Sequence, residues 1–497
     1  MFETKTFSNL DNFHYINSNF ISYCDRFLSK DGQFGCSSSP DGSYGIIRLI
    51  FNPDQLEKFV QEVLFEPHIP IINYELYADK STMNRFKMKD YIAGIIITPD
   101  DDKKERYPHS DNSACPNPEN SLYPNQCSNS YIMNSSSLLL EDWPFPVVHI
   151  SGDGLKILAN IKNCINEFNA SPIDDTRCSI EISNFMYGVR NSLVCIRRTN
   201  LIASNILNSE YTPYCQNLPM TSSYLHMKPF YQGSVRKKDS TMLLLTRVDS
   251  RALFGKSSFG QSGSAVSMAI MLSLIGNLMN LDVIKKNSSL LHRDVTFVFI
   301  DSDEFEYIGS LSLLKRLQQG QIAKNTGSPL TIESISSIIE LGLMGNSDPK
   351  NKFFLMTDNQ TYFHDKTATD ILRNHMKGAG AKNNVDFVVS KEAILPPLTS
   401  TQTFLRENRN LKHLLITDSD AQFRDDQIDS LFDDKIDKLI DREKLLDDLV
   451  NALSTFVMQD ILEDQSYEVP KIVDYRPIEI LKCFQNDGIC PLFAKSK

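Results

Sequence analysis

The fold is decided by the stretch TMLLLTRVDS, residues 241–250, together with DVTFVFIDSDEFEYIGS, residues 294–310. Each of the two begins with a short apolar run, and a long helix that is apolar nearly all round is predicted between them, at 264–279. Short apolar runs that alternate with a long apolar helix are typical of parallel strands covered by helices on both faces. The sequence therefore predicts an α/β fold with a mainly parallel sheet.

Charged side chains follow both predicted strands at their carboxyl ends. Arg247 and Asp249 come after the first strand, and Asp303 and Glu304 come after the second. In open α/β sheets the functional groups lie just beyond the carboxyl ends of the strands. We therefore expect a site at this edge of the sheet.

The order of motifs resembles that of zinc aminopeptidases with the bacterial-aminopeptidase and glutamate-carboxypeptidase fold. In those enzymes a strand ends in HxD, a DNxSG loop leads into the helix, and the next strand ends in an acidic pair. Here Arg247 stands at the HxD histidine, Gln261 at the aspartate that bridges the metal ions, and Asp303 at the general-base glutamate. Glu340 stands at the aspartate of the third ligand strand, and Thr401 lies where the final histidine is expected.

These replacements affect whether the chain can bind zinc. A co-catalytic zinc pair needs histidine and carboxylate ligands at two fixed centres. Arg247 would instead place a permanent cation where a dication would lie, and it cannot lose its proton to relieve the repulsion. We therefore expect a pseudo-peptidase without metal, cofactor or catalytic residues. A divergent zinc aminopeptidase or glutaminyl cyclase is the enzyme alternative, and stoichiometric bound zinc would favour it.

The motif YIGS at 307–310, preceded by an acidic residue, resembles the D-Y-I-G-S motif of the nicastrin family, whose members are large glycoprotein subunits of γ-secretase. The resemblance covers most of the chain. It implies a smaller N-terminal α/β lobe at 1–235, which carries an extended lid at about 107–143. It also implies a large aminopeptidase-like lobe at 236–497, with a mainly parallel mixed sheet flanked by helices and a C-terminal helix and tail.

The nicastrin resemblance assigns recognition of a substrate amino terminus to an acidic residue and a tyrosine of this motif, here Asp303 and Tyr307. The other candidates for the same docking site are Glu304, Arg247, Asp249 and Glu340. A helix that starts near Asp303 would place Tyr307 one turn further along the same face, so we expect both in a cavity beneath 107–137, with Asp303 at its mouth. Arg247 can also neutralise these carboxylates merely to keep an inherited fold stable, and this explanation stays open.

Residues 107–137 lose all periodicity and are rich in Asn, Pro and Ser. So long an irregular stretch in a compact protein is usually functional or disordered. By resemblance this segment is a lid over the large lobe, and Tyr131 is the aromatic residue that touches the lobe beneath it. A disulfide-pinned surface loop without a gating role is the alternative.

The cysteines and glycosylation sequons fit an oxidising compartment. Sequence alone cannot fix the connectivity of ten cysteines, but the nicastrin resemblance implies bridges between sequence neighbours: Cys24–Cys36, Cys115–Cys127, Cys164–Cys178, Cys195–Cys215 and Cys483–Cys490. Each such bridge stabilises by roughly 2–4 kcal/mol. Buried free thiols in a cytosolic protein are the alternative. The N-glycosylation sequons begin at Asn134, Asn169, Asn287 and Asn359.

Charge and hydropathy narrow the class of protein further. The net charge of −11 comes without a basic patch, which argues against nucleic acid as a partner. Neither a run of eighteen apolar residues nor a secretory apolar region is found in the sequence. The resemblance implies a signal peptide and one membrane helix, both absent from this chain. We therefore expect the extracellular or luminal ectodomain of a single-pass type I membrane protein of the endoplasmic reticulum, Golgi and plasma membrane.

The resemblance also implies partners. These are presenilin and the two small membrane subunits of γ-secretase, with type I membrane-protein stubs bearing free amino termini as substrates. Whether such stubs are docked or excluded by bulk stays open. A receptor module of the transferrin-receptor kind is a third alternative because it shares the inactive-peptidase fold. The YIGS motif and the short tail with two cysteines argue against it.

Overall fold

Two lobes, each built around a seven-stranded sheet, make up the computed structural model. The described residues are 2–5, 21–29, 32–39, 41–99, 107–124, 131–152, 155–168, 177–182, 189–205, 218, 222–227, 238–255, 257–286, 290–323, 329–345, 352–423, 425–434, 439, 441–471 and 475–485.

The small lobe contains a seven-stranded mixed sheet and a separate three-stranded sheet. Their strands are β1 (Phe2–Lys5), β2 (Ile21–Tyr23), β3 (Arg26–Leu28), β4 (Gln33–Cys36), β5 (Ser43–Ile50), β6 (His68–Ile72), β7 (Ile95–Ile97), β8 (Asp142–Trp143), β9 (Val147–Ile150) and β10 (Ser179–Ile182). The larger sheet has the order β1-β10-β5-β6-β7-β9-β2, and its four central strands, β5, β6, β7 and β9, run parallel. The smaller sheet has the order β3-β4-β8.

The helices of the small lobe are α1 (Pro53–Gln61), α2 (Tyr74–Ala78), α3 (Lys80–Lys87), α4 (Leu155–Phe168) and α5 (Ser192–Asn205). The start of α1 follows from its sequence. The Asn52 side chain accepts a hydrogen bond of 2.9 Å from the backbone N–H of Gln55, and proline occupies the first turn. Leu56 and Phe59 of α1 are buried in the core of the lobe, so the amphipathic pattern directs one face of the helix inward.

The large lobe has the mainly parallel mixed sheet that the sequence predicts, which confirms the fold class. Its strands are β11 (Ser223–Met227), β12 (Thr241–Arg247), β13 (Asp294–Ile300), β14 (Ile335–Leu341), β15 (Lys352–Met356), β16 (Asp386–Val389) and β17 (Lys412–Thr417). The strand order is β11-β13-β12-β14-β17-β15-β16. Strands β13, β12, β14 and β17 are parallel, whereas β11 and β15 pair antiparallel with their neighbours β13 and β17.

The helices of the large lobe cover both faces of its sheet. They are α6 (Val266–Asn280), α7 (Asp282–Lys286), α8 (Ile308–Gln318), α9 (Asn359–His364), α10 (Lys366–Lys382), α11 (Thr401–Glu407), α12 (Glu443–Leu462) and α13 (Pro477–Gln485). Alternate residues of β12 show the two layers. Met242 and Leu244 pack into a cluster with α6, α10 and α12, whereas Leu243 and Leu245 pack with α8 and α11.

Helix α6 is extended at its start by a π-helical turn, Gln261–Ala265, so the helix predicted at 264–279 begins about one turn earlier. Among the described residues, the segment Gln261–Asn280 is the one helix long and apolar enough to cross a membrane. However, 72% of its most apolar window is buried inside the protein. Its apolar character is therefore explained by its place in the core of the large lobe.

The edge strand β11 precedes residue 236, the predicted start of the large lobe. It pairs with β13, so the large sheet takes one strand from the segment that the sequence boundary placed in the small lobe. A single edge strand of five residues with an exposed face carries no signal that distinguishes the two sheets. The position of the boundary between the lobes otherwise stays a prediction.

Disulfides join Cys24 to Cys36 and Cys164 to Cys178, as expected for sequence neighbours. Three further cysteines are also disulfide-bonded: Cys115, Cys195 and Cys483. Their expected partners lie outside the described residues: Cys127, Cys215 and Cys490. The described part of the chain contains no free cysteine.

The two lobes meet through an aromatic contact and a shared apolar cluster. The guanidinium of Arg251 lies 4.4 Å from the ring centroid of Phe305 and 5.5 Å from that of Phe34 in the small lobe. Phe254 and Phe432 of the large lobe belong to the same buried cluster as the core of the small lobe. This contact places the small lobe against the loops that follow β12 and β13.

Candidate functional site

The first side chain of the site is Arg247, the last residue of β12, which is only 3% exposed. Its Nη1 donates to Oε1 of Glu304 at 2.6 Å, and its Nη2 donates to the carbonyl of Gly263 at 3.2 Å. Burial alone would lower the pKa of Arg247, but Glu304 and the other carboxylates around it raise the pKa. The arginine therefore stays charged and ties together the loops of all three motifs.

The Asp249 carboxylate accepts a hydrogen bond of 2.8 Å from the backbone N–H of Glu304. Burial raises the pKa of Asp249 to about 8; Arg247 opposes this rise, and the Glu304 carboxylate adds to it. Among the described residues, Asp249 Oδ1 and Glu304 Oε2 are buried oxygens without a hydrogen-bond partner. The site therefore holds more carboxyl oxygens than its donors satisfy.

Asp303 and Tyr307 are both 0% exposed, and Asn117 of segment 107–137 bonds to Asp303; that the two residues line a binding cavity stays a prediction. Oδ1 of Asp303 accepts a hydrogen bond of 2.6 Å from the backbone N–H of Ser310, and burial raises the pKa of Asp303. The Tyr307 hydroxyl accepts a hydrogen bond of 3.3 Å from the Gln402 amide.

The predicted helix start near Asp303 is wrong. Helix α8 begins at Ile308, because Tyr307 adopts a left-handed conformation with φ of 59°. Ser302 and Glu306 are left-handed too, with φ of 69° and 53°. The chain therefore makes a compact turn before the helix, and the two residues do not share one helical face.

Glu340, near the end of β14, is fully buried and binds the start of α11. Its two oxygens accept hydrogen bonds from the backbone N–H groups of Ser400 and Thr401, at 2.9 and 2.8 Å, and from the Thr401 hydroxyl at 2.6 Å. Burial raises the pKa of Glu340 to about 7, and these hydrogen bonds oppose the rise. Two positions where the aminopeptidase pattern has metal ligands are thus bonded to each other.

Gln261, at the position of the bridging aspartate, is buried in the π-helical turn. Its backbone N–H donates to the carbonyl of Asp433 at 3.1 Å, and the next N–H, of Ser262, donates to the Asp433 carboxylate at 2.9 Å. Within the described ranges, no three His, Cys, Asp or Glu side chains are arranged to hold a metal ion. We refer to Arg247, Asp249, Asp303, Glu304 and Glu340 as the floor of the site.

The lid, residues 107–124 and 131–143, lies directly on the floor. The Asn117 amide donates to the carbonyl of Asp303 at 2.8 Å, and its oxygen accepts from the N–H of Glu306 at 2.9 Å. The Asn120 N–H donates to the Glu306 carboxylate at 2.9 Å. The lid is therefore closed and is bonded to the backbone of the motif loop.

Further along the lid, the Leu122 N–H donates to the Gln402 side chain at 2.8 Å. The Tyr123 hydroxyl donates to the carboxylate of Asp358, which also forms a 3.2 Å ion pair with Arg409. Because Gln402 contacts both Leu122 and Tyr307, it links the lid to the motif tyrosine.

Tyr131 is 5% exposed and contacts the large lobe. It packs in a buried cluster with Ile132 of the lid and four residues of the large lobe: Leu343, Leu398, Phe423 and Ile428. Its carbonyl also accepts a hydrogen bond of 2.9 Å from the N–H of Phe423. The gating role assigned to Tyr131 stays a prediction.

Asp429 is a further site residue that the sequence motifs do not indicate, a fully buried carboxylate with a left-handed φ of 54°. Its Oδ2 accepts a hydrogen bond of 2.9 Å from the amide of Asn112 in the lid. Asp429 lies in the acidic stretch 418–434, which looks like a solvated charge run. The signal that singles it out is the apolar residues interleaved there, since Ile428 and Phe432 are buried on either side.

Two of the four sequons lie in the described chain. Asn134 is exposed on the lid, and Asn359 is half-buried at the start of α9. Asn169 and Asn287 lie outside the described residues. Glycosylation of all four stays a prediction.

Comparisons with known proteins agree over most of the chain. A model described as the nicastrin small lobe matches residues 23–188, and one described as the nicastrin large lobe matches residues 240–457. Nicastrin of Dictyostelium purpureum is 25% identical over 458 residues, which is 87% of this chain and 64% of the relative. Nicastrin of Homo sapiens is 24% identical over 446 residues, or 84% and 59%.

The chain thus spans about three fifths of the length of the curated relatives it matches. A crystal structure of the gamma-secretase component nicastrin has the same fold, with a TM-score of 0.75 and 22% identity over 96% of this chain and 80% of that one. Both lobe models match in the same order as the two sheets, and the chain belongs to the nicastrin family.

Proposed function

We propose that this chain is the non-catalytic ectodomain of a γ-secretase subunit, and that its floor receives the free amino termini of type I membrane-protein stubs. The observation that carries the proposal is the use of former ligand positions for bonds within the protein. Arg247 is bonded to Glu304, and Glu340 is bonded to Thr401. Groups engaged in this way are not available as a set of metal ligands.

The same geometry supports the proposed absence of catalysis. A peptidase of this fold needs a metal-bound water and a general base. Arg247 supplies a fixed positive charge at the strand end where the first ligand would lie. Asp303, at the position of the general base, accepts the N–H of Ser310 and is fully buried. Its carboxylate therefore stabilises the turn before α8.

The docking role is supported by the excess of carboxyl oxygens on the floor. Asp249 Oδ1 and Glu304 Oε2 have no hydrogen-bond partner within the described part of the chain. An ammonium group offers three N–H donors and a positive charge, so it can satisfy such oxygens with charge-assisted hydrogen bonds. Tyr307 adds an aromatic face and a hydroxyl beside Asp303. A free amino terminus therefore fits the chemistry of the floor.

Access to the floor requires the lid to open, because Asp303 and Tyr307 are completely buried in the closed form. The same burial favours a second candidate function. A chain that keeps its lid closed can act by bulk alone and exclude membrane proteins whose ectodomains are long. In that case the floor stabilises the lobe and binds nothing.

The partners proposed are those of the family resemblance. Presenilin and the two small membrane subunits would form the complex with this chain. The chain would lie on the luminal or extracellular side of the membrane. Attachment would be through a helix outside this chain. The family membership of both lobes supports this placement.

The test compares peptides with free and with acetylated amino termini, titrated into the purified chain by calorimetry. We expect the free peptide to bind about tenfold or more tightly, since a lost charge-assisted bond costs about 1.5–3 kcal/mol. Asp303→Asn should remove this preference. Asp460→Asn is the matched control, because Asp460 is a largely buried carboxyl on α12, outside the site. Equal binding of both peptides, unchanged by Asp303→Asn, would leave only exclusion by bulk.

A further inference from the structure

The buried carboxyl of Asp429 lies between the lid and the acidic floor. Its Oδ2 accepts from the Asn112 amide at 2.9 Å, and its carbonyl accepts from the N–H of Asp111 at 3.0 Å. Its Oδ1 is buried and has no hydrogen-bond partner among the described residues. Asp429 therefore touches the lid on one side and presents an unsatisfied oxygen on the other.

Charged groups surround Asp429 from every element packed against it. The end of β12 and the loops after β12 and β13 contribute Arg247, Arg251 and Glu304, and the two arginines in turn interact with Asp249, Asp303 and Glu306. Its own loop contributes Asp433, with Asp425 and Asp426 further out, and the lid contributes His109 and Asp111. Carboxyls thus outnumber the two guanidiniums, and a buried cluster with unpaired negative charge is costly unless some carboxyls hold protons.

Burial raises the pKa of several carboxyls in this cluster. Burial, followed by the nearby Glu304 carboxylate, raises the pKa of Asp429 well above its usual range. Burial likewise raises the pKa of Asp249 to about 8 and that of Asp433 to about 7. Arg247 opposes the rise at Asp429 and Asp249 without cancelling it. The closed form therefore takes up protons near neutral pH.

We propose that Asp429 and the carboxyls around it form a proton-linked latch, which holds the lid closed while they are protonated and releases it as they ionise. The inference rests on the proposed docking function, since it adds the regulation of access to that site. Its physical basis is the position of Asp429, which bonds the lid through Asn112 and faces Glu304 and Asp433 on the floor side.

The direction of the effect follows from the two states of the lid. Opening admits water, and the pKa of an aspartate then returns toward about 4. The protons are held more tightly when the lid is closed, so closure is favoured fully below about pH 4 and is lost as the pH rises through 7 to 8. For one linked proton, with a pKa of about 4 in the open form and 7 to 8 in the closed form, the opening constant should rise about 30- to 150-fold between pH 5.5 and 8.

The test is hydrogen–deuterium exchange of the lid amides at pH 5.5 and 8.0, corrected for intrinsic exchange rates. Suitable reporters are the N–H groups of Asp111, Asn120 and Leu122, which are all bonded across the lid boundary. In the wild-type chain we expect about 30- to 150-fold less protection at the higher pH. Asp429→Asn keeps an acceptor for Asn112 and tolerates the left-handed backbone, so it should keep the lid protected at both values.

Control variants distinguish the effect of Asp429 and its neighbours from that of other titrating groups. Asp460→Asn should leave the pH dependence of the lid as in the wild type. If Asp429→Asn does not fold, Asp249→Asn takes its place and should reduce the same pH dependence. Protection that is equal at both pH values in the wild-type chain overturns the latch. Undiminished pH dependence in Asp429→Asn also overturns it, and its loss in His109→Gln instead would assign the effect to histidine. No peptide enters these measurements, so they stand apart from the docking test.

Discussion

The floor of the site and the lid above it are held by different kinds of contact. On the floor, charged side chains at the ends of buried strands bond to one another, as Arg247 does to Glu304 at 2.6 Å. The lid is bonded to the large lobe mainly through amides and hydroxyls, such as those of Asn117 and Tyr123. The floor is thus a network of buried charges, whereas the lid is a series of polar contacts, each of small free energy.

Because of this difference, the stability of the fold and the opening of the lid should depend on different residues. Removing one partner of a buried ion pair leaves the other charge without compensation in the interior. When a substitution removes one lid contact, the remaining polar partner can bond to water once the lid opens. The loss of free energy is therefore small. Changes on the floor should therefore act on global unfolding, and changes in the lid should act on local opening.

The largest effect is expected for Arg247→Met, which leaves Glu304 and its neighbours without the buried cation. We expect a loss of about 3–5 kcal/mol in the free energy of unfolding, measured with a chemical denaturant. Arg85→Met is the matched control, since its bidentate pair with Glu57 is exposed and should contribute far less to stability. Similar losses for both variants would contradict the comparison.

A smaller effect is expected for Glu340→Gln, which offers one acceptor oxygen where the start of α11 uses two. The loss in unfolding free energy should be about 1–3 kcal/mol. Asp365→Asn, at the exposed start of α10, should cost only a few tenths of a kcal/mol because asparagine also caps helices well. An effect of Glu340→Gln no larger than that of this control would count against a buried cap.

The Glu340 variant also has a pH signature. The pKa of Glu340 is about 7 in the folded chain, above the value of about 4.3 for an exposed glutamate. The wild type should therefore lose this group's share of stability as the pH rises from about 4 through 7. The cost of Glu340→Gln should accordingly shrink between pH 5 and 8 in the same denaturation experiment, and a cost that grows would reverse the assignment.

The smallest effect is expected for Tyr123→Phe, which removes the hydroxyl bonded to Asp358. Lid amides near residue 122 should exchange roughly threefold to tenfold faster, as a lost hydrogen bond of about 0.5–1.5 kcal/mol implies. Global unfolding should change little. Tyr224→Phe removes a hydroxyl bonded within the large lobe and should leave lid exchange unchanged. A lid unaffected by Tyr123→Phe would show that this contact does not hold it closed.

The floor can be predicted from the sequence better than the lid, because the motifs that form it are short and contiguous in the chain. The apolar runs of β12 and β13 and the charged residues that follow them indicate both the sheet and the edge where Arg247 and Glu304 meet. The conformation of Tyr307 was not predictable, since left-handed backbone at a residue other than glycine leaves no mark in the sequence.

The features that could not be predicted from the sequence depend on contacts between residues far apart in the chain. Asn112 and Asp429 are 317 residues apart, and Asn117 and Glu306 are 189 residues apart. A lid without periodicity has no register that would indicate which loop it contacts. The acidic stretch around Asp429 also has the composition of a surface loop, although Asp429 itself is fully buried. Only the folded arrangement brings these groups together.

The central claim is that the residues at the positions of zinc ligands in the aminopeptidase motifs are bonded within the protein and hold no metal. Elemental analysis of the purified chain after dialysis against zinc tests it most directly. With Arg247 bonded to Glu304 and Glu340 bonded to Thr401, we expect zinc well below one equivalent per chain. One or more equivalents of zinc that are retained by the wild type and lost on Asp249→Asn or Glu304→Gln would contradict the account.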